Sequence, residues 1–334
     1  QRMSSTSATS NHVVCAIDAQ MTYGLIVLLS SMADTATQPF RVTVGYLDES
    51  LPAPDRETIA TVSRALGVPL EFLPLESHEL FITQGHISKT TFAKFLLADA
   101  IPGAHLWIDA DTVALPGWDE IFAHINKATA FEGLVVAARG SDAPATGRNK
   151  PSDLKFNAGV LGWPATPRRD WQGPLATMDH VETQEQALFN QLYGTTARTV
   201  PETFNTLTYR VEKLPDSAMP SIIHFAGAHK PWHLTNNLKI VCLDYRCPWS
   251  AWLKAEKSLL EKQSLLPALE EIYSLQRRAL SSGRFSWNRD HSGLRLLKLL
   301  QVLGPLAGPM TTLLRLMSRR VPRGTHPLHP LGEQ

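Results

Sequence analysis

The sequence predicts an α/β protein with a mostly parallel sheet covered by helices on both faces, followed by a helical, basic extension. Three observations carry that expectation. Short apolar, β-branched runs alternate with helix-period segments from residue 12 to about residue 227, which demands crossover connections and parallel strands. The β signal stops near Pro248, and the pattern beyond it is helical and then Leu-rich and basic. The chain has 334 residues, 43% hydrophobic and 19% charged, enough for a substantial core and unlike disordered, collagenous or coiled-coil compositions.

Each element follows from its local pattern. HVVCAID (12–18) reads as a strand ending in an acid, and Tyr23 to Ala33 as a helix. FRVTVGYL (40–47) is the second strand, and a helix over Asp55–Leu66 is stopped by Gly67. LEFLPL (70–75) is the third strand, Thr90–Ala100 a helix, and AHLWID (104–109) the fourth strand. Further strands are expected at LVVAAR (134–139), FNAGVLGW (156–163) and SIIHFAG (221–227). Gly140–Asp153 is rich in Gly, Pro, Ser and Asp and is expected to be a long mobile loop. Trp249–Ser281 is helical with mixed charge. These boundaries give a polar, disordered N-terminus (1–11), a first domain (12–247) and a helical basic extension (248–334) that is disordered at its end.

The formal charge of +1 is a cancellation. Residues 277–334 carry ten Lys/Arg and two Asp/Glu, a net of +8. The first 276 residues carry 22 Lys/Arg and 29 Asp/Glu, a net of −7. Three cysteines are too few for a disulfide scaffold and suit a reducing compartment, and residues 1–11 lack the apolar run of a secretory signal. A cytoplasmic location is expected on those grounds. Leu299–Leu314 is a run of sixteen uncharged residues broken by Gly304-Pro305 and Gly308-Pro309, short of the roughly 20 that span a bilayer. Leu and Met groups flanked by Arg295, Lys298, Arg315, Arg319 and Arg320 suit a segment lying on an anionic membrane surface. Nucleic-acid binding is not expected, because the basic stretch lacks interleaved aromatics and the body is acidic.

Asp109 and Asp111 close the fourth strand. Residues two apart on a strand share a face, so both carboxylates can point into the crevice beyond the carboxyl end of the sheet, where open α/β sheets bind ligands. Two carboxylates on one cation, itself bridged to a diphosphate, suit a hard metal such as Mn²⁺ or Mg²⁺. With 15 Asp in the chain, chance alone gives about 0.7 such pairs, so placement after a buried strand matters more than the spacing. The run Asp109-Ala110-Asp111-Thr112-Val113 also satisfies the signature of haloacid-dehalogenase-like phosphatases, with the first Asp as nucleophile. Those enzymes need a later Asp-Asp or Gly-Asp pair, and none follows here. A dinucleotide-binding oxidoreductase is disfavoured too, since no Gly-x-Gly-x-x-Gly follows any strand.

Six separated blocks together resemble glycosyltransferase family 8, the retaining, nucleotide-sugar-dependent enzymes of Rossmann-like GT-A fold, and within it the bacterial lipopolysaccharide galactosyl- and glucosyltransferases. They are AIDAQMTY (16–23), HISKTTFAK (86–94), LWIDADTVAL (106–115), FNAGVLGW (156–163), EQALFN (185–190) and HFAGAHKPWH (224–233), in the family's order. The resemblance implies transfer of galactose or glucose from a UDP-sugar to a glycan or glycolipid. It implies that Asp18 accepts from the uracil N3–H, with Ala16 and Ala110 beside the donor. His224 would complete a metal site with Asp109 and Asp111. Gly227 would let the backbone approach the phosphates, and Lys230 would bind them. Asn157 and the Ala158 backbone would hold sugar hydroxyls, and Glu185 and Gln186 would lie at the anomeric centre. Lys94, on a helix beside the pocket, would balance the charge of the diphosphate. The chain departs from the family at two of these positions: Lys94 stands where Arg is usual, and Glu185 where Asp is usual. A binding protein for sugar nucleotides without turnover is the alternative reading of those departures.

Overall fold

The first described strand is buried on both faces, and the rest of the sheet is built outward from it. The computed structural model describes residues 11–83, 88–128, 133–138, 155–165, 168–178, 184–214, 218–227, 230–233 and 249–281. The expected loop at 140–153, the basic segment 284–334 and all but Asn11 of the expected N-terminal tail lie outside the described residues.

The first half alternates strand and helix: β1 (Asn11–Ala16), α1 (Thr22–Thr35), β2 (Phe40–Leu47), α2 (Ala53–Ala65), β3 (Leu70–Leu75), α3 (Ala93–Ala100) and β4 (His105–Ile108). Then come β5 (Thr112–Ala114), α4 (Ile121–Lys127), β6 (Val135–Ala138), β7 (Val160–Trp163), α5 (Gln172–Thr177), α6 (Gln184–Tyr193), β8 (Arg198–Pro201), β9 (Thr206–Leu207) and β10 (Ile222–His224). Helices α7 (Trp249–Glu261) and α8 (Leu269–Ser281) close the described chain.

Among the described residues, seven strands form one sheet in the order β3-β2-β1-β4-β7-β6-β8. β1 pairs in parallel with β2 and β4, and β2 with β3, as crossover helices require. β7 runs antiparallel to both its neighbours, β4 and β6, so the second half is mixed. A second sheet, β5-β10-β9, stands beyond the carboxyl end of β4.

Alternation along each central strand divides the core in two. Val13 and Cys15 of β1, with Leu106 and Ile108 of β4, face one apolar cluster; Val14 and Trp107 face the other. The first cluster contains α1, of which every residue from Thr22 to Met32 is buried. A helix apolar all round needs cover on every side, and α7 and α8 supply it. Trp252 of α7 is fully buried, 6.4 Å from the Tyr23 ring and 5.0 Å from Trp232 by centroids. Burying side chains of this size stabilises by roughly 1.5–3 kcal/mol each. The terminal helices therefore share the core of the sheet domain.

Two histidines lie side by side across β1 and β4, with ring centroids 6.1 Å apart. Thr43 Oγ1 donates to Glu71 at 2.7 Å, so the 2.8 Å contact from His12 Nε2 is an N–H donated to that hydroxyl. Burial pushes His12 down to about 4, with Arg41 adding to the effect, and burial pushes His105 down to about 3. Unfolded histidine titrates near 6.5. Between roughly pH 4 and 6.5 the unfolded chain therefore binds more protons than the folded one, and stability rises with pH across that window. The urea midpoint is expected to fall as pH drops from 7 to 4, and to fall less steeply in His12→Gln/His105→Gln. Equal slopes in the two proteins would show that these rings do not carry the effect.

Candidate active site

The site begins where β4 ends. Asp109 and Asp111 sit in the turn between β4 and β5 rather than on one strand, so the period-two argument gives the right convergence for the wrong reason. Three backbone contacts create it. The Asp109 amide donates to the Gly159 carbonyl at 2.8 Å, and the Phe225 amide to the Asp111 carbonyl at 2.9 Å. The antiparallel β5–β10 ladder sets Thr112 opposite His224. One ligand atom each from Asp109, Asp111 and His224 then lies within 4.8 Å of the others, with His224 Nε2 3.3 Å from Asp111 Oδ1 and 3.9 Å from Asp109 Oδ2.

The imidazole is oriented from behind. Asn205 Nδ2 donates to Asn157 Oδ1 at 3.0 Å, which leaves Asn205 Oδ1 to accept from His224 Nδ1 at 3.0 Å. That bond holds a proton on Nδ1 and turns Nε2 toward the carboxylates, so that Nε2 is the ring atom available to a metal, the orientation metal-binding histidines need. Gly159 makes the approach possible: a Cβ there would overlap the His224 ring and stand 2.9 Å from Asn157 Oδ1. Two carboxylates and an imidazole suit a divalent cation of the Mn²⁺ kind, so the residues present fit the group.

The two lysines play different parts. Lys230 Nζ pairs with Asp111 Oδ2 and donates to the Phe225 carbonyl at 3.2 Å. Burial opposes the charge on Asp111, but the Lys230 ammonium and His224 more than offset it and hold the carboxyl well below the usual range. Lys94 is 2% exposed and pairs with Glu185 Oε1, with Asp109 Oδ1 at 3.3 Å and the Trp107 ring face at 5.3 Å. Burial works against its charge, and the carboxylates of Asp109 and Glu185 overcome that and raise it above an ordinary lysine. Lys94 therefore stands under the acidic groups as a fixed counter-charge.

Asn157 and Gln186 form one hydrogen-bonded unit. Gln186 Oε1 accepts from Asn157 Nδ2 at 3.0 Å and from the Ala158 amide at 3.3 Å, while Gly159 N donates to Asn157 Oδ1 at 2.9 Å. The chain Gln186–Asn157–Asn205–His224 thus links the loop before β7, helix α6 and the end of β10. Ala16 closes β1; continuing the β1–β4 register places it opposite Asp109. Asp18 follows in the β1–α1 loop, its Oδ1 accepting from Gln20 N at 3.0 Å. The Ala110 carbonyl packs against the start of α1, where Gly24 has room for no Cβ. Gly227 has φ +102°, a conformation glycine alone adopts easily.

The sequence reading missed Asn205, Trp107 and Asn190. Trp107 Nε1 donates to Asp109 Oδ1 at 2.8 Å. Asn190 clamps Phe156 from both sides, accepting from its N–H at 2.7 Å and donating to its carbonyl at 3.0 Å. Trp107 is part of an apolar strand, and a lone Asn reads as a turn residue, so neither type of residue announces such a role.

The Rossmann-like sheet, with a paired-carboxylate and histidine centre in the crevice at its carboxyl edge, has the GT-A fold of its structural neighbours. The chain belongs to glycosyltransferase family 8, whose family model matches residues 12–236. It is similar in structure to the galactosyltransferase LgtC in complex with donor and acceptor sugar analogs, with a TM-score of 0.56 at 18% identity over 77% of this chain and 100% of that one. The bifunctional glycosyltransferase WbbM gives 0.56 at 15% identity, covering 82% of this chain and 53% of that one. The apo form of the glycosyltransferase GlyE of Streptococcus pneumoniae TIGR4 gives 0.51 at 16%, covering 80% and 63%. At these identities the likeness is one of fold. No curated protein matches the sequence significantly. Family membership sets aside the phosphatase reading of Asp109 and Asp111. Among the described residues, no helix is long and apolar enough to cross a membrane.

Proposed function

We propose that this glycosyltransferase is a retaining hexosyltransferase that moves glucose or galactose from UDP to a glycan or glycolipid, such as a lipopolysaccharide, with Mn²⁺ or Mg²⁺ bound. The observation that carries the reading is the convergence of Asp109, Asp111 and His224 to within 4.8 Å at the sheet crevice. Those three residues would hold the metal, which when bound supplies Lewis-acid stabilisation of the leaving diphosphate.

The chain's own residues do the rest. Asp18 accepts from the uracil N3–H, with Ala16 and Ala110 presenting backbone beside it. Gly227 and Lys230 meet the phosphates; the ammonium is already held at the site by Asp111 and can follow the charge that develops on the departing oxygen. Asn157, Ala158 and Gln186 hold the sugar as one pre-formed unit, which lowers the orientational cost of reaction. Glu185 is 8% exposed and its Oε1 is engaged by Lys94, a poor state for a free nucleophile, and a carboxamide such as Gln186 is weaker still. Retention by front-face substitution fits both facts, with the leaving phosphate accepting the proton of the incoming hydroxyl. A glycosyl-Glu185 adduct detected by mass spectrometry would overturn it. The basic extension would bring the enzyme to an anionic membrane surface, where a glycolipid acceptor resides.

A donor-hydrolysis screen across UDP- and GDP-sugars tests the reading. UDP-glucose or UDP-galactose should turn over with Mn²⁺ and stop on chelation. Hydrolysis of no UDP-hexose, or undiminished hydrolysis in the presence of chelator, would refute it.

A further inference from the structure

Helix α8 lies outside the residues that the family model matches, yet its last turn grips the loop that carries Asp18. Arg278 is the joint. Its Nη1 donates to Asp55 Oδ1 at 3.0 Å, and its Nη2 pairs with Asp55 Oδ2 and donates to the Ala19 carbonyl at 3.1 Å. Asp55 is 4% exposed, in the first turn of α2. It also accepts from Thr22 Oγ1 at 2.8 Å, the hydroxyl that opens α1. One guanidinium thus ties together the start of α2, the start of α1 and the carbonyl next to Asp18. The loop is also held by Ala19 N to the Ser50 carbonyl at 2.9 Å, Met21 N to the Asp18 carbonyl at 3.0 Å, Gln20 N to Asp18 Oδ1 at 3.0 Å and a longer contact of 3.2 Å from Thr22 Oγ1 to the Ala19 carbonyl.

A second contact set keeps α8 in place. Tyr23 Oη donates to Glu256 Oε1 at 2.6 Å, and Gln276 Nε2 donates to the same oxygen at 3.0 Å. Between helix and loop is a cavity of about 80 Å³ lined by Ala19, Gln20, Tyr23, Leu275, Arg278 and Ala279. Exposed ion pairs contribute little; this one is bidentate on a buried carboxylate and has a third bond to loop backbone.

We infer that Arg278 is a positioning residue of the donor's nucleoside site, fixing the 18–20 loop so that Asp18 meets the base, and that the catalytic unit runs through α8. The inference rests on the donor reading above. It places the most distant functional contact about 40 residues past the family match, on a segment that sequence reading assigns to an appendage.

The test uses the full chain, UDP with Mn²⁺ in titration calorimetry, and donor-hydrolysis kinetics. Arg278→Ala should weaken UDP and raise the donor KM about tenfold while kcat stays within about threefold. Arg278→Lys should recover only part, since an ammonium lacks the fork that serves carboxylate and carbonyl together. Lys262→Ala is the control. It breaks the 2.7 Å pair with Asp34 that ties the residue just after α7 to α1, away from the loop, and should lower the melting temperature with UDP affinity unchanged. Unaltered UDP affinity in Arg278→Ala, or equal weakening in Lys262→Ala, overturns the inference while wild-type binding leaves the donor reading standing. Failure of the wild type to bind UDP overturns both. Should Arg278→Ala not fold, Arg278→Lys gives the same KM readout against the same control.

Discussion

Asp111→Asn should lower donor turnover by about a thousandfold, with Asp109→Asn close behind, in proteins whose circular dichroism matches wild type. Asp111 is buried between His224 Nε2 and the Lys230 ammonium, and its carboxyl is held ionised by both. An amide keeps the shape but supplies neither the charge for a divalent cation nor the counter-charge for Lys230. Asp109 is more exposed and shares its Oδ1 with Trp107 and Lys94, so its loss also disturbs the charge beneath. Calorimetric titration with Mn²⁺ should show weakened metal binding in both variants, and chelation of the wild type should reproduce their kinetics until Mn²⁺ is restored. More than a tenth of wild-type turnover in Asp111→Asn would remove this residue from the metal site.

Why these groups meet was only partly legible in the sequence. β1 to β4 read to within two residues of their observed ends: β1, β2 and β4 are largely buried and leave nearly continuous apolar runs, while β3, a partly exposed edge strand, is marked by the turn at Gly67 before it. β5, β8 and β9 have two to four residues each, too short for any periodicity to emerge. The acidic pair was visible as a motif, but its convergence on His224 depends on the β5–β10 ladder, which joins residues 112 and 224. Lys94 and Glu185 stood out separately as departures from the family pattern. That they are each other's partner, 91 positions apart, is tertiary information that no local pattern holds. Asn205 is the extreme case: its role exists only through Asn157 on one side and His224 on the other.

That partnership leads to the second large effect, in Lys94→Met. The substitution removes the ammonium from between Glu185 and Asp109 and leaves Glu185, 9% exposed in its side chain, without a counter-charge. Breaking a buried pair from one side costs about 3–5 kcal/mol, limited here by protonation of Glu185, whose carboxyl burial already pushes up against the pull of Lys94. Lys94→Met/Glu185→Gln removes both charges and should recover most of that loss, since a neutral pair has no desolvation to offset. Turnover should not recover with it. The double variant is as stable as wild type to within about 1–2 kcal/mol, yet Asp109 has lost its counter-charge and Glu185 its carboxylate. The pH dependence follows from the raised lysine. Its folded value lies above the unfolded one, so its stabilising contribution is complete below about pH 10.5 and is lost only as pH rises through the folded value. The wild-type pair should therefore keep its contribution between pH 7 and pH 9, whereas the deficit of Lys94→Met should grow with pH for as long as Glu185 is protonated in the folded variant and ionised in the unfolded chain. Urea denaturation of the four members of the cycle at both pH values, alongside donor hydrolysis, separates the two roles. Additive stability losses would deny that Lys94 and Glu185 act as a pair. Recovery of turnover in the double variant would reduce the pair to a structural one, with no part in holding the acidic centre for catalysis.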